Sequence, residues 1–136
     1  YVPALTPYPI VIADTNQNKL WKTDGSTFLT LLATLNGKDP KKLAVDKQST
    51  AAASKIIYGY DADTIRKVDC DGTDDVQLCD INRTPTMMTY NPDDQYVYIL
   101  KSSSTLAKVK IDGTGFVSSL YVWYNHDIRG IAYNPQ

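Results

Sequence analysis

Hydrophobic residues along this chain fall in short runs that are rich in β-branched and aromatic side chains. Three such runs are IIYGY at residues 56–60, YVYIL at 96–100 and VSSLYVWY at 117–124. Side chains of these types favour the pleated, half-buried surface of a β-strand. No stretch keeps a helical hydrophobic period with caps at both ends, and FLTLLATL at 28–35, which comes closest, is interpreted as a strand. The pattern predicts an all-β chain.

These runs belong to an internal repeat with two recurring signatures. One signature joins a lysine to Asp-Gly and then Ser or Thr, as LWKTDGS at 20–26, IRKVDCDGT at 65–73 and LAKVKIDGT at 106–114. The other is PKKLAVD at 40–46, PTMMTYN at 85–91 and IRGIAYN at 128–134. Aligned on Leu43, Met88 and Ile131, the copies lie 45 and 43 residues apart. This spacing predicts β-propeller blades, each with four short antiparallel strands.

The acidic stretch VDCDGTDD at residues 68–75 has two interpretations. Its four carboxylates suggest a calcium loop, but the spacing departs from the D-x-[DN]-x-[DN]-G pattern, and the other two copies lack the extra acids. Asp-Gly between strands predicts a tight hairpin, because glycine supplies the positive φ that the turn needs. We therefore predict a turn and no metal ligands. Cys70 and Cys79, the only cysteines, flank this turn and are predicted to form a cross-strand disulfide.

These motifs resemble the blades of YWTD-type six-bladed propellers from lipoprotein-receptor ectodomains, with NHL propellers as relatives. The match is carried by LAVD at 43–46, IYGYD at 57–61 and IRKVDCDGT at 65–73. The Trp-Thr of the family motif is Gly59 and Tyr60 in the middle copy, and its Asp is Lys101 in the last copy. The resemblance implies a propeller fold and, as a functional expectation, a protein-binding module of the receptor type.

With strands named a to d from the inside out, the chain is predicted to run b-c-d, a-b-c-d, a-b-c-d and a lone a. The single half-propeller at 1–136 contains repeats at about 9–39, 40–84 and 85–127, followed by an inner strand at 128–134. Propellers have about 4–8 blades, so three blades would leave sticky strand edges. We predict that a second copy, as a homodimer, or a sister three-bladed chain completes six blades head to tail.

Composition narrows the environment and the partners. The formal net charge is −1, which predicts neither a nucleic-acid nor a membrane partner, and no apolar run approaches the ~18 residues that span a bilayer. The tripeptide 82–84 is an N-x-T acceptor, so Asn82 is a candidate glycosylation site. Together with the two cysteines and a first residue that is not Met, it predicts a processed, secreted protein.

Candidate chemistry is sparse. The chain has one histidine and lacks the G-x-S-x-G, P-loop and H-E-x-x-H motifs, so we expect no enzyme activity and no cofactor. One cluster combines aromatic and polar side chains at the join between an outer strand and the next inner strand: Trp123, Tyr124, Asn125, His126, Asp127 and Arg129. Aromatic faces beside planar hydrogen-bonding groups suit sugars. The leading hypothesis is a secreted lectin for glycans or a glycoprotein. The alternatives are a protein-binding module and simple packing of these aromatics between blades.

Overall fold

A computed structural model describes residues 10–23, 29–47, 53–60 and 63–135 of the chain, and every regular element in these ranges is a β-strand. The strands in chain order are β1 (Ile10–Asp14), β2 (Lys19–Thr23), β3 (Thr30–Thr34), β4 (Pro40–Asp46), β5 (Lys55–Tyr60), β6 (Thr64–Asp69), β7 (Val76–Asp80), β8 (Pro85–Asn91), β9 (Tyr96–Lys101), β10 (Thr105–Lys110) and β11 (Val117–Val122). The all-β prediction is confirmed.

The strands form three antiparallel sheets, each with its strands in chain order. Blade 1 is β1–β3, blade 2 is β4–β7 and blade 3 is β8–β11. The first strands of blades 2 and 3, β4 and β8, lie side by side, as inner strands of neighbouring blades do. Blade 1 has three strands in the part of the chain that the structure describes, and β1 stands at the edge of its sheet, where the other blades carry an inner strand. The predicted order b-c-d, a-b-c-d, a-b-c-d is confirmed.

Residues 128–134, predicted as a lone inner strand, have no strand assignment. The physical reason is that an inner strand is completed by hydrogen bonds to strand b of its own blade, as β4 is by β5. Among the described residues, no such strand follows blade 3. The segment runs beside β8 instead, where the Tyr133 amide donates to Thr89 Oγ1 at 3.2 Å and the Tyr133 hydroxyl donates to Asp93 at 2.8 Å.

The two described Asp-Gly turns have the same geometry. In blade 2 the Gly72 amide donates to the Asp69 carbonyl at 2.8 Å, and the Asp69 amide donates to the Thr73 carbonyl at 2.9 Å. In blade 3 the Gly113 amide donates to Lys110 at 2.9 Å in the same way. Gly72 and Gly113 have φ of +88° and +87°, which explains why glycine recurs at this position. The first copy's Asp-Gly pair lies outside the described residues.

Apolar side chains pack between blades and form two seams. The seam between blades 1 and 2 buries Leu20, Leu32, Ala33, Leu35, Ile56, Tyr58 and Val68. The seam between blades 2 and 3 buries a second set that includes Ile57, Leu78, Ile81, Val97 and Ile99. Burying one large apolar side chain contributes about 1.5–3 kcal/mol. The seams therefore hold the blades together more than any single polar contact does.

Strand pairing makes positions in the three blades directly comparable. In each blade one residue of the strand named c pairs with one residue of the outer strand: Leu20 with Ala33, Ile65 with Cys79, and Leu106 with Tyr121. The same register places Asp14, Tyr60 and Lys101 at one position, because they face Lys19, Thr64 and Thr105. Asp61, matched to the YWTD motif from sequence, is one residue further on and lies outside the described residues. This register supplies the equivalences used below.

Candidate functional site

The aromatic members of the predicted sugar-binding cluster follow β11 directly. Trp123 is half-buried, and its ring packs on the ring of Tyr121 with centroids 4.8 Å apart. Tyr124 is 82% exposed. Part of the Tyr121 and Trp123 ring surface is therefore used in their mutual contact, while the Tyr124 ring is almost entirely available to a ligand.

The polar members of the cluster lie in the loop that comes next. Asn125 has φ of +62° and turns the chain, and His126 is exposed. Asp127 accepts hydrogen bonds from Arg129, one of them from Nε at 2.7 Å, in an exposed ion pair. The structure thus brings Asp127 together with Arg129. Exposed pairs of this kind contribute little to stability, which leaves their side chains free to reorient toward a partner.

Trp123 has counterparts in the other two blades. Its amide donates to the Ser104 carbonyl at 2.8 Å, and the amides of Leu35 and Ile81 make the same bond to Asn18 and Asp63, each at 2.8 Å. Both counterparts are fully buried between blades, at 1% exposure. Trp123 therefore stands at a seam position, which supports the packing alternative for this residue and weakens its assignment to a sugar site.

The acidic stretch at 68–75 is a hairpin turn, as predicted, and its carboxylates have separate partners. Asp69 pairs with Lys55 at 2.6 Å. Asp71 accepts from the amide and hydroxyl of Thr73 at 2.9 and 2.6 Å, which lowers the pKa of that carboxyl. Blade 3 repeats this motif with Asp112 and Thr114. Within the described ranges, the histidine, cysteine and acidic side chains form no group of three that could hold a metal ion.

Asp75 connects elements of two blades. It accepts from the Tyr58 hydroxyl at 2.7 Å and from Arg66 Nε at 2.8 Å, and Lys38 from the blade 1–blade 2 connection lies 3.4 Å away. Burial alone would raise the pKa of the Asp75 carboxyl, but the hydrogen bonds from Arg66 and Tyr58 and the charges of Arg66 and Lys38 outweigh it and hold that pKa below its usual range. The group is structural, since its acceptor oxygens are already used.

The predicted Cys70–Cys79 disulfide is wrong, because both thiols are free. Cys79 faces Ile65 across the β6–β7 pair, whereas Cys70 follows the other end of β6. Five residues along a strand span about 16 Å, well beyond the reach of a disulfide. The two side chains also pack in different seams. Sequence proximity suggested a bond that the strand register excludes.

Asn82 lies in the connection between blades 2 and 3. The residue is exposed, has φ of +55°, and its amide donates to Asp80 at 2.8 Å. The Thr84 hydroxyl donates to Asp63 at 3.3 Å. The tripeptide is accessible on a surface turn, and its glycosylation stays a prediction. Of the residues with a described position, none belongs to a helix long and apolar enough to cross a membrane.

The sequence predicted unpaired strand edges at both ends but did not identify the exposed apolar residues beside them, whose two surfaces are here called the end faces. The blade 3 end face carries Leu120 (40% exposed), Tyr121 (57%) and Trp123, and a cleft of about 270 Å³ lies between this blade and residues 131–134. The blade 1 end face carries Ile10 (61% exposed) and Ile12 (38%). The repeat alignment contained this signal, because these apolar residues stand at positions whose counterparts are buried.

Comparison with known proteins identifies the fold. No family model matches the sequence, and no curated protein matches it either. The structure is similar to a chain in the crystal structure of the nidogen/laminin complex, with a TM-score of 0.76 and 16% identity over 93% of this chain. The match covers 49% of the other chain, so this chain spans about half the length of its structural neighbour.

Proposed function

We propose that this chain is a non-enzymatic, protein-binding β-propeller module. The observation that carries the proposal is the patch of Tyr124, Asp127 and Arg129 after β11, called the aromatic–arginine patch below. Tyr124 is 82% exposed, and Asp127 and Arg129, three and five residues further along the chain, form an exposed pair. Tyrosine and arginine are enriched among the residues that dominate protein–protein binding energy. The patch lies on a loop held by a rigid blade, where binding residues concentrate.

The corresponding connections of the other blades support a ligand-binding role for this patch. Asn36 and Asn82 follow the buried Leu35 and Ile81, just as Tyr124 follows Trp123. Both asparagines have positive φ and form turns, and in blade 3 this conformation belongs to Asn125, one residue after Tyr124. Asn125 therefore makes the turn, and the exposed ring of Tyr124 is not needed for it. The exposed ring supports a ligand-binding role.

A protein ligand fits these observations better than the sugar that the sequence suggested. A sugar site needs open aromatic faces and unused planar hydrogen-bonding groups. Tyr121 and Trp123 pack on each other, so Tyr124 is the aromatic ring of the cluster whose faces are largely open. The solved structure of similar fold is, by its title, a complex of two proteins. That likeness supports a protein partner as the kind of ligand and leaves its identity open.

Secretion is part of the proposal. It rests on the exposed Asn82 turn, since Cys70 and Cys79 are unpaired and give no argument for an oxidising compartment. Expression through a eukaryotic secretory pathway is expected to give a glycoprotein whose mass falls on treatment with an N-glycosidase. The variant Thr84→Ala, which removes the acceptor sequence, should show no change on the same treatment. An unmodified wild-type chain would remove this support for secretion.

The binding proposal is tested with the immobilised chain against a panel of purified extracellular proteins that includes laminin, and in parallel on a glycan array. We expect saturable binding to a panel protein that weakens at least about tenfold in Tyr124→Ser and in Arg129→Ala, as for interface hot spots. Arg83→Ala, which removes an exposed arginine from the blade 2–blade 3 connection, is the matched control and should bind normally. Glycan binding that a free sugar competes and Tyr124→Ser abolishes would overturn the proposal.

A further inference from the structure

The connection between blades 1 and 2 reverses direction in a tight turn at residues 35–38. The Lys38 amide donates to the Leu35 carbonyl at 3.1 Å, and the two central residues, Asn36 and Gly37, have φ of +46° and +79°. A turn with positive φ at both central residues is of type I′, for which Asn-Gly is a preferred pair. The fold therefore explains why glycine follows asparagine here, and this pair occurs once in the sequence.

The tip of this turn is exposed to solvent. Asn36 and Gly37 both lie at the surface, and a Cβ placed on Gly37 would meet no atom within 4 Å beyond its neighbours in the chain. Within the described ranges, neither the Asn36 side chain nor the Gly37 amide has a hydrogen-bond partner. The Gly37 nitrogen and the Asn36 carboxamide are thus free to react with each other, and water can reach both.

The residues on either side of the tip are held in place. Leu35 is 1% exposed in the seam between blades 1 and 2, and its amide donates to the Asn18 carbonyl at 2.8 Å. At the start of β4, the Pro40 carbonyl accepts from the Thr15 hydroxyl at 3.0 Å. The open Asn-Gly tip therefore lies between two fixed points, so a change in the length of its backbone has to be taken up at the seam.

We propose that Asn36 is a modification site, at which the chain deamidates spontaneously to isoaspartate and aspartate. The Gly37 nitrogen loses its proton to base and attacks the Asn36 Cγ, which closes a cyclic succinimide and releases ammonia. Water then opens the ring. Its attack at Cγ breaks the newly formed bond and leaves aspartate, whereas its attack at the main-chain carbonyl breaks the original peptide bond and leaves isoaspartate, with the backbone running through Cβ and Cγ. Each conversion consumes one water and releases one ammonia.

The residue that follows the asparagine distinguishes this site from the matching connections. Asn82 and Asn125 are also exposed and also have positive φ, but Arg83 and His126 follow them. The Cβ of the following residue stands beside the attacking nitrogen and hinders ring closure, while glycine permits the close approach. The proposal is independent of the proposed protein ligand, because Asn36 and the aromatic–arginine patch lie in different connections.

The two products change the connection in different ways. Both lower the formal net charge of −1 by one further unit, because a carboxylate replaces a neutral amide. Aspartate keeps the backbone length and tolerates the left-handed conformation as asparagine does. Isoaspartate instead lengthens the backbone between Leu35 and Pro40. Since both of these residues are fixed, we expect isoaspartate to loosen the seam and aspartate to leave it intact.

Peptide mapping by mass spectrometry tests the proposal on the folded, unglycosylated chain, incubated at neutral pH and physiological temperature. We expect Asn36 to be lost at least about tenfold faster than Asn82 and Asn125. Gly37→Ala should slow the loss of Asn36 at least about tenfold, and circular dichroism checks that this variant is folded. Arg83→Gly is the reciprocal variant, which should make Asn82 react about as fast as Asn36. This gain of a site does not depend on the folding of Gly37→Ala.

Urea unfolding tests the effect on the seam. The isoaspartyl form, separated by ion exchange, should unfold at a lower urea concentration than Asn36→Asp, which carries the same charge on a normal backbone. Equal midpoints would overturn the effect on the seam. The modification site itself would be overturned if Asn36 stays intact in the folded chain while it reacts in urea, or if the three asparagines of the wild type react at equal rates.

Discussion

At the scale of single residues, the side chains of the acidic stretch at 68–75 make other contacts than its composition suggests. Four carboxylates in eight residues looked like a metal loop, yet each described bond of Asp69, Asp71 and Asp75 is to the protein itself. Repetition of the Asp-Gly turn elsewhere in the chain was sufficient to predict the turn itself. The contact of Asp75 with Lys38 was not predictable, because Lys38 lies 37 residues earlier, in the connection between blades 1 and 2, and no local pattern links the two residues.

Asp75→Asn tests the structural role of that carboxylate. Its charge-assisted bonds to Arg66 and Tyr58 are partly buried, so we expect the free energy of unfolding at neutral pH to fall by about 2 kcal/mol. Asp74→Asn is the matched control, since Asp74 is exposed and the amide keeps its positive φ accessible. Urea denaturation measures both. Equal stability of the two variants would contradict a structural role for Asp75.

The difference in unfolding free energy between the wild type and Asp75→Asn should depend on pH, and the pKa of Asp75 gives the sign of that dependence. The folded-state pKa of Asp75 lies below its unfolded value of about 3.9, so the folded chain favours the ionised form. Its contribution is complete above the unfolded pKa and is lost as the pH falls through the folded pKa. The stability gap between wild type and Asp75→Asn should be constant from neutral pH to about pH 5 and narrow below about pH 4. A gap that widens in acid would contradict this assignment.

The two cysteines also differ from the prediction, which was a disulfide between them. Both thiols are free, and burial raises the pKa of the Cys79 thiol to about 12. A thiol titration of the denatured chain without reductant should count two thiols, and in the native chain Cys70 should react first, because Cys79 is buried. Cys79→Ser identifies the slow thiol. A count of zero would mean that the bond predicted from sequence exists.

At the scale of elements, the strands and their order were predictable while their contacts were not. Alternating and β-rich runs such as those in β5 and β9 predict strands from local pattern alone. The segment at 128–134 has the same pattern but no strand, since pairing depends on a neighbour and not on the residues themselves. The cross-strand positions that decide the cysteines and Trp123 depend on register, which a bulge in each outer strand shifts.

The Asp-Gly turns give an element-scale prediction. A Cβ at Gly72 would lie 2.2 Å from the Leu32 carbonyl of the preceding blade, whereas a Cβ at Gly113 would lie 3.5 Å from the Leu78 carbonyl. Both residues have the same positive φ, so Gly113→Ala should cost about 1 kcal/mol for the backbone alone. Gly72→Ala should cost about 3 kcal/mol, because the seam must also open.

Thermal or urea unfolding of the two glycine variants compares them directly. The pair is matched in turn, conformation and side chain, so the difference isolates the close approach between blades 1 and 2. Equal costs would mean that the blade 2 turn does not seat against β3 as described.

At the scale of the whole molecule, the all-β fold of propeller-like blades was predictable from the repeat length. The candidate site was predictable only in part. The sequence placed Trp123 and Tyr124 in one cluster, but only the seam equivalents divide it into an end-face residue and a solvent-facing residue. Side-chain type alone cannot make that division, because an aromatic ring serves packing and binding equally well.

The central claim is that the aromatic–arginine patch of Tyr124, Asp127 and Arg129 binds a protein partner. Binding of the panel of purified extracellular proteins to the immobilised chain tests it most directly. We expect saturable binding to a panel protein that Tyr124→Ser weakens at least about tenfold and that Arg83→Ala leaves unchanged. Equal binding by the wild type and Tyr124→Ser would contradict the account.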